Sequence, residues 1–335
     1  MIVTYLRSSS IGTLNQCEMK YFGEYVLDIR GEPRQKTVMG SMFHKVMEAL
    51  YTQKLTTQNF KKTCEIAGLG KIKITTPVNE IICKSFDYYA KLHSEYTWED
   101  SHLNDLSKWV DKCLTMEGGQ FDPSSRHVLE VEKFFDITLE EDWAHYQHYL
   151  DGQIEGQISL KGTIDLVVEH DDYVELIDWK TGARKNWVSG ATKDYDDFKK
   201  DNQLLLYYWV AHHFYQKPIC VTIVYVNSGG SYTMDFDESD YEKAYKMIKE
   251  MTLRIKNIKK PQTIRPHSFC SFCPLFKTEF DNPLTWPDGN HKDKCHQLKS
   301  EIYSIGLAAT TQKYMKDKSH IYNYTEGGGK ENDKK

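Results

Sequence analysis

The chain has 335 residues, 40% of them hydrophobic and 13% aromatic, which is enough apolar material for one large domain or two modest ones. Its net charge of −5 excludes a strongly basic protein, so any nucleic-acid binding must come from local patches. No apolar run reaches the roughly 18 residues of a membrane-spanning helix, and the N-terminal MIVTYLRSSS lacks the apolar centre of a signal peptide. We therefore expect a cytoplasmic location, where the eight cysteines are more often thiols or metal ligands than disulfides.

The first third of the chain is predicted to be mainly helical. Apolar residues at helical spacing predict a helix within residues 1–30, with Cys17 inside it. A second helix is predicted over residues 37–51, with His44 close to its N-terminal end. Residues 52–117 predict a helical insertion, in which a polar, partly helical connection is followed by two amphipathic helices. A lone histidine on such a helix is more often packed in place than bound to a metal.

A strand is predicted over residues 127–139, because apolar and polar residues alternate there. On a regular strand, Glu130 and Glu132 share one face, and Val131 and Lys133 share the other.

The stretch GTIDLVVEHDDYVELIDWK, residues 162–180, predicts two strands joined by a polar turn. Residues two apart on a strand share a face, so Asp178 and Lys180 point the same way, roughly 7 Å apart. A hairpin can bring Asp165 beside them. Two buried carboxylates and an ammonium on one face are costly unless a cation neutralises the acids, and such oxygen ligands suit Mg²⁺ or Mn²⁺.

The remaining third begins with a strong helix over residues 198–214, which places Gln203 and Tyr207 four residues apart on one face. A C-S-F-C motif later in the chain contains Cys270 and Cys273, and Cys295 follows in a segment rich in proline. The last twenty residues, 316–335, are rich in glycine and charge and are predicted to be a disordered tail.

Taken in order, these motifs resemble the RecB-like branch of the PD-(D/E)XK nucleases, which includes the CRISPR-adaptation nuclease and the AddB subunit. The resemblance covers roughly residues 5–300 without the insertion at 52–117. The motifs that carry it are Cys17, Gly40-x-x-x-His44, Glu132, Gly162-x-x-Asp165, Asp178-x-Lys180 with Thr181-Gly182, Gln203-x-x-x-Tyr207, Cys270-x-x-Cys273 and Cys295.

The resemblance implies an α/β fold with a restriction-endonuclease-like PD-(D/E)XK core, in which helices flank a mixed central sheet. It implies one nuclease domain over residues 1–315, with a helical insertion at 52–117. Residues 1–30 and 262–300 would form a Cys-rich terminal subdomain that binds a metal cluster.

The resemblance also implies roles for individual residues. Asp165 and Asp178 would bind Mg²⁺ or Mn²⁺, with His44 and the carbonyl of Trp179 as further ligands. Lys180 would orient the attacking water and stabilise charge on the phosphate. Three other residues would support the site or contact DNA: Glu132, Gln203 and Tyr207. Among the nearby aromatic residues, Trp187 is the one most expected to stack on unpaired bases.

The four cysteines of the pattern would hold a [4Fe–4S] cluster that ties the two ends of the chain together. They are Cys17, Cys270, Cys273 and Cys295. Twenty-one residues separate Cys273 from Cys295, whereas the cysteines of the family are closer together. A structural Zn²⁺ is the alternative, with His267, His291 or His296 in place of one cysteine, and a C-x-x-C motif that binds nothing is the third possibility.

The function implied is metal-dependent cleavage of DNA, as an exonuclease on single-stranded ends in recombination, repair or phage replication. The host would be a bacterial or phage-infected cell. The sequence has no G-x-x-x-x-G-K-[ST] motif, so a helicase or recombination partner would do any unwinding. Three alternatives stay open: an accessory nuclease of the CRISPR-adaptation type that acts in a complex, a DNA-binding module with weak or lost catalysis, and a nuclease directed at RNA.

Overall fold

The computed structural model describes residues 1–149, 153–185, 190–227, 229–263, 268–276 and 293–315, together with Ile321. In chain order, the strands are β1 (Tyr5–Leu6), β2 (Thr63–Ile66), β3 (Gly70–Lys73), β4 (His127–Thr138), β5 (His145–Tyr149), β6 (Gln153–Gln157), β7 (Ser159–Glu169), β8 (Val174–Lys180), β9 (Ile219–Tyr225) and β10 (Gly230–Asp235). The α-helices are α1 (Ser8–Gln16), α2 (Glu18–Tyr21), α3 (Gln35–Gln58), α4 (Val78–Leu92), α5 (Asp100–Thr115), α6 (Tyr195–Lys199), α7 (Asn202–Ala211), α8 (Glu238–Asn257), α9 (Lys294–Ile305) and α10 (Leu307–Tyr314).

The main sheet is mixed, which confirms the predicted α/β fold class. Its strands follow the order β1-β7-β8-β9-β10, and β4 also pairs with β7. β7 and β8 are antiparallel, with Leu166 opposite Ile177, whereas β8 and β9 are parallel. β9 is buried along its whole length, as expected for a strand rich in Val and Ile.

The chain divides into two compact units. The first contains Met1–Glu32, Phe135–Gly162 and Lys243–Lys335, and the second contains Pro33–Phe134 and Thr163–Glu242. The residues predicted to be catalytic belong to the second unit, and the four cysteines of the predicted cluster belong to the first. The predicted division into one nuclease domain with a terminal subdomain remains a prediction.

Helix α3 forms the centre of the apolar core of the second unit. Three of its side chains have no exposed surface: Phe43, Val46 and Met47. They belong to one apolar cluster with side chains of α4, α5, β7 and β8, and the Tyr51 ring stacks on Trp179 with 5.9 Å between centroids. Each buried side chain of this size contributes about 1.5–3 kcal/mol. This packing fixes α3, and therefore His44, against the sheet.

The predicted helical insertion differs from the structure in its first part. The two amphipathic helices are present as α4 and α5, but α3 continues to Gln58, and β2 and β3 form an antiparallel hairpin. The hairpin turn contains Gly68 and Gly70, both with positive φ. A Cβ atom at Gly68 would lie 2.6 Å from the Tyr88 ring, so glycine is needed there for space as well.

The helix predicted within residues 1–30 is interrupted in the structure. Cys17 was expected inside a helix, but it lies between α1 and α2 in an extended conformation, with φ −166° and ψ 121°. This breaks the helix because the Cys17 backbone leaves the helical region. At the other end of the chain, Gly306, with φ +87°, separates α9 from α10. His44 was expected near a helix start, but α3 begins at Gln35 and places it in the third turn.

The predicted disordered tail over 316–335 lies outside the described residues except at Ile321. That residue is buried, and its carbonyl accepts a hydrogen bond from the Thr4 hydroxyl. Within the described residues, every helix is too short or too polar to cross a membrane.

Candidate active site

Three side chains from three different elements meet in the second unit. α3 carries His44, β4 carries Glu132 and β7 carries Asp165. One ring nitrogen and one oxygen of each carboxylate lie within 4.8 Å of one another, and His44 Nδ1 is 3.4 Å from Asp165 Oδ2. Within the described part of the chain, this is the one set of three or more His, Cys, Asp or Glu donors that comes so close together. We call it the donor group.

Gly40 allows α3 to approach the sheet closely enough to form the donor group. A Cβ atom at position 40 would lie 2.9 Å from Thr181 Oγ1, which is too close for real carbon atoms. Thr181 directly follows β8, and its carbonyl accepts a hydrogen bond of 2.7 Å from the Asn227 side chain. The Gly40-x-x-x-His44 spacing therefore has a physical reason, because the glycine lets the helix close on the end of β8 and the histidine follows about one turn later.

Glu132 reaches the donor group because the backbone of β4 is irregular at this residue. Its φ of 49° lies in the left-handed region, which is uncommon outside glycine. The prediction that Glu130 and Glu132 share a face opposite Lys133 is therefore wrong. Glu130 lies 2.7 Å from Lys133 and accepts a 3.0 Å hydrogen bond from Tyr215, whereas Glu132 joins His44. A left-handed residue in a strand acts as a β-bulge and redirects the side chains around it.

The predicted hairpin brings Asp165 and Asp178 to neighbouring strands. Both residues lie one position beyond the Leu166–Ile177 pair, at the same end of the β7–β8 ladder. The backbone N–H of Trp179 donates a 2.9 Å hydrogen bond to Asp165 Oδ2. This bond fixes the Asp165 carboxylate against β8.

Asp178 makes a different set of contacts from Asp165. Lys180 Nζ lies 2.6 Å from Asp178 Oδ2, as expected for residues two apart on a strand. Gln203 Nε2 donates a 2.9 Å hydrogen bond to Asp178 Oδ1, and Lys180 Nζ donates a 3.1 Å bond to Gln203 Oε1. The donor group thus includes Glu132, which the sequence placed in a supporting role, and leaves out Asp178, which the sequence predicted as a metal ligand. The role of Asp178 as a ligand remains a prediction.

Gln203 and Tyr207 lie one turn apart on α7, next to the candidate site. The Asp201 side chain caps this helix by accepting a 2.9 Å hydrogen bond from the Gln203 backbone N–H. Gln203 Nε2 also donates to the Tyr207 hydroxyl at 2.9 Å, and that hydroxyl donates to the Thr163 carbonyl at 2.9 Å. The pair therefore links α7 to β7 and β8 and holds the Gln203 amide in place.

The acids and cations of the site shift each other's pKa. Burial acts to lower the pKa of His44, but the Asp165 carboxylate outweighs burial and raises that pKa to about 9. Burial, reinforced by the charge of Asp165, raises the pKa of Glu132 to about 8. Burial also raises the pKa of Asp178 to about 6, although Lys180 opposes the shift. For Asp165, burial acts to raise the pKa, but His44 and Lys180 outweigh it and keep the pKa below its ordinary value.

The donor group fits a divalent metal ion. Carboxylate oxygens suit Mg²⁺ and Mn²⁺, and an imidazole nitrogen shifts the preference toward Mn²⁺. Burial acts to lower the pKa of His44, but the Asp165 carboxylate outweighs burial and raises it, so positive charge is favourable beside that acid. The Trp179 carbonyl remains a predicted ligand.

The sequence argument missed a second charged pair near Glu132. Lys45 is only 5% exposed and forms an ion pair with Glu48, one turn after His44 on α3. Glu48 acts to raise the pKa of Glu132, and Lys45 acts to lower it. A lysine within an otherwise apolar helical stretch was the available signal, since buried lysines are rare unless paired.

The aromatic residues proposed to stack on bases are mostly buried. Trp179, Tyr207 and Tyr208 expose 2%, 5% and 3% of their surface, so they pack in the core. Trp187 lies outside the described residues.

The structure places the cysteines of the predicted cluster in the first unit. Cys270 and Cys273 lie in one turn, where the Cys273 N–H donates to the Cys270 carbonyl at 3.1 Å. Burial raises the pKa of the Cys273 thiol to about 11, and the charge of Cys17 acts in the same direction. The Cys295 N–H donates to the Leu275 carbonyl at 3.0 Å.

Among the described residues, no three of these sulfur atoms lie within 4.8 Å of one another, so they are not gathered as ligands of one single ion. Of the alternative zinc ligands, His267 and His291 lie outside the described residues. His296 Nδ1 is 3.1 Å from Asp293 Oδ1.

The donor group lies next to Lys180, whose ammonium is held by Asp178 and Gln203. A site of this class can hydrolyse phosphate esters when it binds a divalent ion. The family comparison agrees, since the model of the PD-(D/E)XK nuclease superfamily matches residues 8–277. The chain belongs to the PD-(D/E)XK nuclease superfamily.

The chain resembles several solved structures, among them the following two. One is a presumed exonuclease from Eubacterium rectale, with 13% identity and a TM-score of 0.43 over 84% of this chain and 91% of that one. The other is SSO0001, with 11% identity and a TM-score of 0.27 over 72% of this chain and 92% of that one. No curated protein was found to match.

Proposed function

We propose that the protein is a metal-dependent deoxyribonuclease that hydrolyses phosphodiester bonds. The observation that carries the proposal is the convergence of His44, Glu132 and Asp165 within 4.8 Å in a superfamily of nucleases. Phosphodiester hydrolysis needs an activated water and positive charge near the phosphate. The donor group and Lys180 together could provide both.

His44, Glu132 and Asp165 would hold one Mg²⁺ or Mn²⁺ ion. When bound, such an ion supplies a water of lowered pKa and neutralises charge on the phosphate. Burial acts to lower the pKa of Lys180, but Asp178 and Asp165 outweigh it and keep the ammonium charged. Lys180 can then donate a hydrogen bond to the attacking water or to a phosphate oxygen.

The proposed substrate is DNA with single-stranded ends, which the protein would degrade as an exonuclease in recombination, repair or phage replication. This part of the proposal is supported by the resemblance to the RecB-like branch. A helicase or recombination partner would supply the unwound strand.

The test is a cleavage assay on three end-labelled or circular substrates, each with Mg²⁺, Mn²⁺ or EDTA. Linear single strands should be shortened in the presence of either metal, and linear duplexes should be degraded more slowly. Circular single strands should resist, because they have no ends. Cleavage of the circle at the rate of the linear strand would contradict the exonuclease assignment, and activity in EDTA would contradict the metal site. RNA of the same sequence tests the alternative substrate.

Asp165→Asn is the decisive variant, and Glu169→Gln is its matched control. Both remove one carboxylate from β7, but Glu169 pairs with Lys217 at 3.0 Å and takes no part in the donor group. Asp165→Asn should lower the cleavage rate at least 100-fold and retain DNA binding, whereas the control should stay within twofold of wild type. If wild type binds DNA but does not cleave it, the protein is a binding module. If Asp165→Asn cleaves normally, the assignment of the site is wrong.

The proposed function includes a structural metal at the four cysteines, either a [4Fe–4S] cluster or Zn²⁺. It is supported by the location of all four in one unit and by the shared turn of Cys270 and Cys273. Protein purified without oxygen should be brown and contain iron and acid-labile sulfide. Colourless protein with one equivalent of zinc would select the alternative, and protein without either metal would refute both.

A further inference from the structure

Helix α3 ends in a motif that normally contains glycine, but here the residue is Phe60. The Lys61 N–H donates to the Thr56 carbonyl at 3.0 Å, and the Phe60 N–H donates to the Thr57 carbonyl at 3.0 Å. These two bonds form a Schellman motif, whose left-handed position is most often glycine because it carries no Cβ atom. Phe60 occupies that position with φ +56°.

The Phe60 side chain contributes nothing to the core. It is 97% exposed, the largest exposure among the large apolar side chains of the described residues. A glycine would satisfy the same backbone bonds without the left-handed strain and without exposing a ring to water. Two features unfavourable to folding at one residue point to a role outside folding.

The surface around Phe60 is strongly basic. Residues 54–73 contain five lysines and one glutamate, a local charge of +4 in a chain whose net charge is −5. Four of these lysines are exposed: Lys61, Lys62, Lys71 and Lys73. None of the four takes part in an ion pair with an acid in the part of the chain that the structure describes.

The β2–β3 hairpin holds this basic surface in place. Ile66 and Ile72 are buried in the apolar cluster of the second unit, and the register pairs Thr63 with Lys73 and Glu65 with Lys71. Because side chains alternate along a strand, burial of the isoleucines turns both lysines outward. We call Phe60, with Lys61, Lys62, Lys71 and Lys73, the hairpin patch.

We propose that the hairpin patch binds the unpaired strand of a DNA substrate, with one base stacked on Phe60 and phosphates on the lysines. A single exposed ring among cations suits a nucleic acid, because every base offers a flat face and each nucleotide a phosphate. An apolar protein partner would instead need a wider apolar area. This inference rests on the proposed function, since it extends the substrate path of that site.

The length of α3 sets the distance between the hairpin patch and the donor group. From His44 to Gln58 the helix advances 14 residues, or about 21 Å at 1.5 Å per residue. A strand that keeps the duplex rise of about 3.4 Å per nucleotide covers that distance in roughly six nucleotides, and a fully extended single strand covers it in about half as many. A substrate of two nucleotides therefore cannot reach both places at once.

The test measures binding of a fluorescent 20-nucleotide oligo(dT) in EDTA, so that the result does not depend on cleavage. Phe60→Gly should weaken binding about 5- to 150-fold, the range expected from loss of one stacked base, and should leave the thermal unfolding midpoint unchanged or higher. Phe60→Leu should weaken binding similarly, because it keeps apolar surface and loses the ring, whereas Phe60→Trp should retain it. Equal binding by Phe60→Leu and wild type would overturn the proposal.

A matched control and a lysine variant sharpen the test. Phe214→Leu removes another exposed ring of the same unit and should not change the affinity for oligo(dT). If Phe214→Leu lowers the affinity as much as Phe60→Leu does, the binding is not specific to the Phe60 ring. The double variant Lys61→Gln/Lys62→Gln should reduce the slope of log affinity against log salt by about 1.4, or roughly 0.7 for each phosphate contact with a single strand. An unchanged slope would exclude the lysines.

Two further substrates separate this proposal from the proposed function. A blunt duplex has no unpaired base for Phe60 and should bind equally to wild type and Phe60→Gly. Cleavage of a two-nucleotide strand should be insensitive to Phe60→Gly, whereas cleavage of the 20-nucleotide strand should slow. If wild type cleaves DNA and Phe60 has no effect on either measurement, only the patch fails. If wild type does not cleave but binding depends on Phe60, only the proposed function fails.

Discussion

Replacing Gln203 with alanine removes a side chain that touches three members of the candidate active site. Its amide accepts from Lys180 at 3.1 Å and donates to Asp178 at 2.9 Å. It also donates to the Tyr207 hydroxyl at 2.9 Å. Asp178 is only 2% exposed, so water cannot easily take the place of the lost donor. Gln203→Ala should therefore leave Lys180 attached to Asp178 but poorly oriented toward a substrate.

The expected loss of rate follows from the strength of these bonds. A hydrogen bond to a charged group contributes about 1.5–3 kcal/mol. Because the ion pair between Lys180 and Asp178 survives, we expect the activation free energy to rise by the equivalent of one such bond. This rise lowers kcat roughly 10- to 150-fold. The KM for DNA should change little, since Gln203 is proposed to position Lys180 rather than to hold the substrate.

The assay compares kcat on a linear single strand with the thermal unfolding midpoint of each variant. Gln53→Ala is the matched control, because Gln53 is also partly buried but lies outside the candidate site. Its side-chain amide donates two hydrogen bonds, to the Lys73 carbonyl at 2.8 Å and to the Thr76 carbonyl at 3.1 Å. Both variants should lose stability to a similar extent, but only Gln203→Ala should lose kcat. Equal kcat values for the two variants would refute the positioning role.

Three other predictions concern stability. The pKa of His44 is about 9 in the folded protein, against an ordinary value of 6.5. The stability that protonated His44 contributes is therefore complete below pH 6.5 and is lost as the pH rises toward 9, so the unfolding midpoint without metal should fall over this range. Mn²⁺ should raise the midpoint more at pH 9 than at pH 6.5, because it no longer competes with the proton on His44. Arg126→Ala removes the arginine that lies 2.6 Å from the buried Glu175 carboxylate and leaves that carboxylate with only the His170 ring, at 2.9 Å, as a basic partner. The change should cost about 3–5 kcal/mol in urea unfolding, and Glu175→Gln in the same chain should restore part of the loss. Gly40→Ala should destabilise the protein, and adding Thr181→Ala should restore stability by removing the clash. If Glu175→Gln does not stabilise the Arg126→Ala variant, or Thr181→Ala does not stabilise the Gly40→Ala variant, the contact proposed to explain that loss is contradicted.

Much of the candidate site could be predicted because its patterns are local. Asp178 and Lys180 share a face because strand side chains alternate, and Gln203 and Tyr207 share a face because they lie one helical turn apart. The structure confirms both pairings by direct contacts of 2.6 Å and 2.9 Å. The antiparallel arrangement that brings Asp165 close also follows from the short polar turn between two apolar strands.

The rest depended on backbone conformations that leave no mark in the sequence. Glu132 adopts a positive φ without being glycine, so the alternation rule gave it the wrong neighbours. The same holds for Phe60, whose left-handed conformation ends α3 at a residue that no helix-stop rule would select. The β2–β3 hairpin was missed because each strand has only four residues, which is too short for alternation to stand out from a helical pattern.

The two carboxylates Glu132 and Asp178 have different charged neighbours in the candidate site. The site contains three acids and two cations: Glu132, Asp165, Asp178, His44 and Lys180. Lys180 lies 2.6 Å from Asp178 and neutralises it, whereas His44 must serve both Asp165 and Glu132. Burial, reinforced by the charge of Asp165, raises the pKa of Glu132 to about 8. Burial acts to lower the pKa of His44, but Asp165 outweighs it and raises that pKa to about 9. A divalent ion among His44, Glu132 and Asp165 would replace the protons on His44 and Glu132 with a stronger charge and make the three acids compatible.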